Sequence, residues 1–291
     1  MPKKVIEPTT SKAISLPNLI LRFKGRVSLT FLLVVFESLL DVFYPLFIGL
    51  AIDGLLQKSY TGVIQLAVLG VVSLLVGAIR RAYDTRVYAG IYCQIMPEMV
   101  LKEQERGSSV SKTSARSSLL TEFVEFLENS MPEIIRGIVS LVGILIMIAA
   151  LNWEVFLACV GILLLIVVVY GISGKMNYRL NASYNNQLEH QVQALESKDM
   201  HLIQQHYSAL MRWNIKLSDL ENLNYVAIWI GVIALLVYTP ITVVEGGTTS
   251  YGQVSSIFMY VFNYIAASIG FPLYIQQLIR LKEISGRLAD N

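Results

Sequence analysis

Apolar residues fall in six blocks of membrane-spanning length, and polar residues gather in two long stretches between them. The blocks run over roughly 27–56, 63–84, 132–151, 153–174, 224–244 and 252–277. A helix needs about 20 apolar residues to cross a hydrocarbon core of ~30 Å. The runs are continuous, whereas the strands of a membrane β-barrel alternate lipid-facing and lumen-facing residues. The long polar stretches are 85–131 and 175–223. The connections at the other ends are short: Gln57–Gly62, the Leu151–Trp153 corner and Glu245–Tyr251. The pattern predicts an all-α membrane protein with six transmembrane helices.

The polar stretches keep a helical composition. Segment 85–106 has few breakers, Gly107-Ser108-Ser109 interrupts it, and helix resumes near Ser117 towards Pro132. Asn177 to Glu196 is helical in composition, Ser197-Lys198-Asp199 reads as a turn, and Met200 to Asn224 is helical again. Asp199 suits an N-cap, because its carboxylate can accept from the first free N–H groups of a helix. Each long helix is therefore expected to project about 20 residues, or about 30 Å, past the bilayer. The result is two long intracellular helical hairpins. Leu16 to Phe23 suits a short helix lying in the interface, with Pro17 in its first turn. Residues 1–15 are expected to form a flexible cytoplasmic N-terminus.

Charge placement orients the chain. Of the 23 Lys and Arg, only Lys58 falls on the side of the short connections. Positive charge stays cytoplasmic, so both termini are expected there. The chain is 54% hydrophobic and 15% charged, with a mean hydropathy of +0.56. A soluble domain carries about 25% charged residues. No nucleic-acid partner, enzymatic reaction or cofactor is expected. Cys93 and Cys159 lie on different helices and form neither a disulfide framework nor a metal pattern. His190, His201 and His206 lack the spacing of a metal site. The lysines near the N-terminus precede no short apolar core with a cleavage site, so no removable signal peptide is expected.

Candidate chemistry begins with Glu37 and Asp41, one helical turn apart on one face of the first span. Counted from Arg26, they lie about 16 and 22 Å into the hydrocarbon layer. A carboxylate there costs about 2.5–3.5 kcal/mol on insertion scales. It must face water, meet a cation or hold a proton. Like charges on one face cannot both ionise cheaply, so the pair suits proton binding. The alternative is a hydrogen bond to a neighbouring helix. No Lys or Arg is visible at matching depth, which argues against a salt bridge. Arg80 and Arg81 are expected to snorkel to lipid phosphates.

Glu122, Glu125, Glu128 and Glu133 line the approach to the third span as a rough stripe. They can hand protons or cations towards the membrane, or form an ordinary solvated face. Arg136 is a candidate partner for Glu133. Asn177, Tyr178, Asn181, Tyr184 and Asn185, followed by Asn186, suit either a cavity wall for polar cargo or a subunit contact. Asn263 and Tyr264 make a similar polar break in the sixth block. Asp53 reads as a structural cap. Gly70, Gly77, Gly137, Gly143, Gly161 and Gly171 read as positions of close helix packing.

Short outer loops, two long hairpins and an interfacial first helix together resemble the membrane domain of ABC exporters. Tyr44-Pro45-Leu46-Phe47-Ile48-Gly49-Leu50-Ala51-Ile52-Asp53 resembles that family's end of the first span. Thr249-Ser250-Tyr251-Gly252-Gln253-Val254 resembles the start of its sixth. Arg280-Leu281-Lys282-Glu283-Ile284-Ser285-Gly286-Arg287-Leu288 resembles the helix that leads into its ATPase domain. The resemblance covers 16–288, with 16–23 as the elbow helix. It implies an inner-membrane protein of bacteria and a domain-swapped homodimer, with the fourth and fifth spans crossing to the partner. No G-x-x-x-x-G-K-[ST] occurs, so no nucleotide-binding domain is expected. A three-residue tip on the second hairpin offers little surface for docking an ATPase. The same fold without an ATPase occurs in bacterial peptide-uptake transporters linked to the proton gradient. The expectation is therefore a gradient-driven transporter of peptides or small polar natural products. The alternatives are the membrane subunit of a transporter with a separately encoded ATPase, and a membrane sensor or scaffold.

Overall fold

The computed structural model describes residues 22–247 and 250–289, and every element among them is helical. In chain order these are α1 (Lys24–Leu56), α2 (Thr61–Glu105), α3 (Val110–Glu125), a π-helical segment (Phe126–Ser130), α4 (Met131–Leu151), α5 (Trp153–Glu189), α6 (Gln191–Glu196), α7 (Met200–Glu245) and α8 (Tyr251–Ala289). Among the described residues, five runs are long and apolar enough to cross a membrane: Lys24–Leu56, Thr61–Glu105, Val110–Leu151, Trp153–Glu196 and Met200–Glu245. The sixth apolar block falls within α8. Most of the expected elbow helix, residues 16–21, lies outside the described residues.

Local chemistry sets the breaks. Gly107 adopts φ +69°, a left-handed conformation that glycine takes without steric cost, and it ends α2. The Ser109 hydroxyl then accepts from the Lys112 N–H at 3.3 Å and caps α3. Helix therefore resumes at Val110, earlier than composition indicates. The Asn152 side chain caps α5 through the Val155 N–H at 3.0 Å. Asp199 caps α7 through the His201 N–H at 2.9 Å, as its position predicts. One break differs from expectation. Helix α5 stops at Glu189, and a separate short helix, α6, precedes the Ser197–Asp199 turn. None of its residues is buried.

The chain divides into two compact units. The first comprises residues 1–144, 251–256 and 266–291. In it α1 and α2 pack as an antiparallel pair. Val27, Tyr88, Ile95, Leu120 and Phe123 belong to a core that joins the start of α1, the far half of α2 and α3. Glu103, near the end of α2, accepts from the Ser108 hydroxyl at 2.7 Å and pairs with Arg116 and Arg106. These contacts fasten the tip of the hairpin. The Ser108 hydrogen bond, then the two arginines, hold its carboxyl below the usual carboxylate range.

At the other end of this unit, Gly49 of α1 and Gly252 of α8 touch through their backbones. A Cβ on either would collide with the partner helix. The Gly252 N–H donates to Asp53 at 2.8 Å, and the Ser256 hydroxyl donates to the Pro45 carbonyl at 2.7 Å. Asp53 does cap a helix, and that helix is the last one.

The second unit comprises residues 145–250 and 257–265. Here α5 and α7 pack together, with Gly231 admitting Leu165 and Ile162. Asn224 donates to the Ser173 hydroxyl at 3.0 Å, and the His206 ring meets Gln187 at 3.0 Å.

Candidate functional site

Four charged side chains form a continuous chain in the first unit, three of them buried and the fourth, Arg136, half-exposed. Glu37 of α1 accepts from the Arg80 guanidinium of α2, and from Arg136 of α4 at 3.2 Å. Arg80 also donates to Asp84, one turn along its own helix, at 2.7 Å. Glu37 and Arg80 are each 8% exposed, and Asp84 is 4% exposed. Desolvating such charges costs several kcal/mol per ion, and only close pairing with good hydrogen bonds offsets it. Arginine suits the task, because its planar fork serves two carboxylates at once.

This arrangement corrects the expectation that no cation stands at the depth of Glu37. It also corrects the reading of Arg80 as a lipid-facing group and of Arg136 as the partner of Glu133. Gly77 leaves room for the cluster: a Cβ there would lie 2.9 Å from Oε1 of Glu37. Gly70, by contrast, has nothing within 4 Å of such a Cβ.

Beside the ion pairs lie two buried polar atoms without a hydrogen-bond partner, Oδ1 of Asp84 and Nε of Arg136, and the Tyr88 hydroxyl faces Thr30 of α1. The π-helical segment brings Glu128 to this side, where it is half-buried. Single wide turns of this kind recur at functional sites.

The other acids are distributed more widely. Asp41, a turn along from Glu37, is exposed. Glu122 is bound by Arg280 of α8 at 2.6 Å. Glu125 and Glu133 are exposed. The rough stripe is thus divided by its partners, with Glu122 tied to the last helix and Glu128 turned inward.

Residues 16–252 match the family described as ABC transporter transmembrane region, which covers most of the chain. The chain belongs to that family. No curated protein matches it. An ABC transporter transmembrane region is a membrane-embedded transporter domain, and ATP hydrolysis lives in a separate domain. The 291 residues contain no phosphate-binding loop.

In the second unit of this transmembrane region, the polar residues of α5 run along its C-terminal half. Tyr178, Asn181 and Asn185 are exposed, and Asn177 and Tyr184 are half-buried. The Asn181 amide donates to the Asn177 side chain at 2.7 Å, so these two satisfy each other. Asn263 is exposed, whereas the Tyr264 hydroxyl is buried and donates to the Cys159 carbonyl at 2.6 Å. Tyr264 therefore fastens α8 to α5. A groove of about 540 Å³ between α5 and α7 is lined mainly by Leu157, Ile162, Gly231 and Leu235, with Glu154 and Tyr238 as its polar members. None of the predicted cavity residues lines it.

Proposed function

We propose that this transmembrane region works as a homodimeric secondary transporter of peptides or small polar cargo, driven by the proton gradient across a bacterial inner membrane. The observation that carries this reading is the Arg136–Glu37–Arg80–Asp84 chain. It joins three helices through pairs whose strength depends on the charge of their carboxylates. Adding a proton to Glu37 weakens its hold on both arginines at once and frees α4 from α1. Removing it restores the clamp. Such a two-position element converts a proton gradient into helix movement. Asp41, exposed one turn away, is placed to exchange protons with cavity water. Asn177, Tyr178, Asn181, Tyr184, Asn185 and Asn263 supply the polar surface for cargo. In this reading six spans per subunit, with α5 and α7 crossing to the partner, complete the cavity.

The test is uptake of a labelled peptide library by vesicles holding the purified protein, without ATP. An imposed pH gradient drives accumulation, and an uncoupler abolishes it. Accumulation that persists after the gradient is dissipated overturns the proposal.

A second reading draws on α6. This short helix at the hairpin tip exposes Val192 and Leu195, beside an equally exposed Met200. It offers more surface than the three-residue turn expected from sequence, and suits docking of a separately encoded ATPase. Co-purification of such an ATPase, with ATP-driven transport in the absence of a gradient, would decide for it.

A further inference from the structure

Two polar groups next to the ion-pair chain are almost fully buried, and one oxygen of the first is left without a partner. Asp84 uses Oδ2 for Arg80, and its Oδ1 has no partner. Tyr88 is 1% exposed, and its hydroxyl faces the buried Thr30 of α1. The two stand four residues apart on α2 and so share one face. Glu128, carried by the π-helical segment, lies within electrostatic reach of both. Leaving buried acceptors and donors unused is costly, and native proteins rarely do so without a reason.

We propose that Asp84, Tyr88 and Glu128 form a proton-holding station in which one proton is shared between the two carboxylates beside the Tyr88 hydroxyl. This inference rests on the proton-driven reading and extends it to residues outside the acidic pair of the first span. Glu128 is the acid that takes up the proton. It precedes the third span, and burial, then the charges of Asp84 and Glu125, push its carboxyl above the usual range. Burial, then the charges of Asp84 and Glu128, push the Tyr88 phenol up, so it stays a neutral hydroxyl able to donate and accept. A proton passed on to Asp84 weakens that residue's bond to Arg80 and leaves Arg80 to Glu37 alone. Asp84 is thus the junction between station and clamp.

The charged groups around the station come from every helix packed there. Glu37 stands on α1, Arg80 on α2, Glu125 on α3 and Arg136 on α4. Arg280 of α8 is engaged with Glu122. The guanidinium already bonded to Asp84 disfavours a metal ion at Oδ1 and favours the charged form of Asp84, so the proton rests on Glu128.

The experiment is infrared difference spectroscopy of the full chain in lipid nanodiscs during a pH titration. A protonated-carboxyl C=O band is expected to persist well above the ordinary glutamic acid pKa of about 4.3. Glu128→Gln removes it, and Tyr88→Phe shifts its frequency. Both variants leave every ion pair of the clamp in place, so folding does not confound them. Absence of the band, its survival in Glu128→Gln, or its loss on adding sodium at constant pH overturns the station, the last in favour of a metal cation. The same preparations in vesicles separate the two proposals. An intact band with transport indifferent to the gradient leaves the station standing and removes proton coupling. Gradient-driven transport without the band does the reverse.

Discussion

Glu37 and Arg80 meet at the same height on antiparallel helices. Counted from the turn between Leu56 and Thr61, each stands equally far along its own helix. At 1.5 Å per residue this places the carboxylate and the guanidinium side by side. Every proposal for this transmembrane region follows from what that pair requires.

Removing the cation should be far more damaging than weakening it. Arg80→Met leaves Glu37 and Asp84 buried with one partner fewer between them. A loss of about 3–5 kcal/mol is expected, as for other half-broken buried pairs. Arg80→Lys keeps the charge without the fork and should recover part of it. Thermal unfolding in detergent, followed by circular dichroism, measures both.

The two acids of the first span should separate in their effects. Glu37→Gln weakens both arginine pairs and should lower stability and transport together. Asp41→Asn touches no ion pair, so folding should be unchanged while gradient-driven uptake falls at least about tenfold, equivalent to about 1.4 kcal/mol. Normal uptake by Asp41→Asn together with normal uptake by Glu37→Gln would end the proton-coupling proposal.

Three glycines give a graded series. Gly49→Ala sets a methyl group against the backbone of Gly252 and should prevent proper assembly. Gly77→Ala meets the clamped carboxylate of Glu37 and should cost about 1–3 kcal/mol. Gly70→Ala meets nothing and should gain about 0.5–1 kcal/mol through the helical preference of alanine. Unfolding temperatures rank the three.

The Glu103 clamp should confer pH dependence on the first hairpin. A carboxyl held below its ordinary range contributes stability above the unfolded pKa of about 4.3 and loses it as pH falls through the folded value. Protection of the amides across 103–116, measured relative to the intrinsic exchange rate at each pH, should fall on acidification within that window. Glu103→Gln should exchange faster at neutral pH and lose the dependence.

Hydrophobic patterning is strong wherever whole elements are concerned. The apolar blocks, the Gly107 break and the Asp199 cap are all local, and the chain states them openly. The charge cluster was within reach too: counting from the outer turn pairs Glu37 with Arg80, whereas counting from Arg26 and the end of the apolar block does not. Helix α2 continues to Glu105, so the end of the apolar run is a poor marker of depth. The bonds from Arg136 to Glu37 and from Tyr264 to Cys159 depend on how helices distant in sequence pack, which no local pattern encodes. The break at His190 has no Gly or Pro beside it, so nothing in the composition announces it, whereas Pro132, which cannot donate to the Glu128 carbonyl, is a local signal for the wide turn at 126–130.

The grip of Asp53 on Gly252 has a practical corollary. The final helix is moored to the first by its own backbone, independently of the connection that delivers it. That connection is a covalent convenience. A gene severed between Gly246 and Gly247 and expressed as two polypeptides should still yield a reassembled protein that purifies through a tag on either fragment.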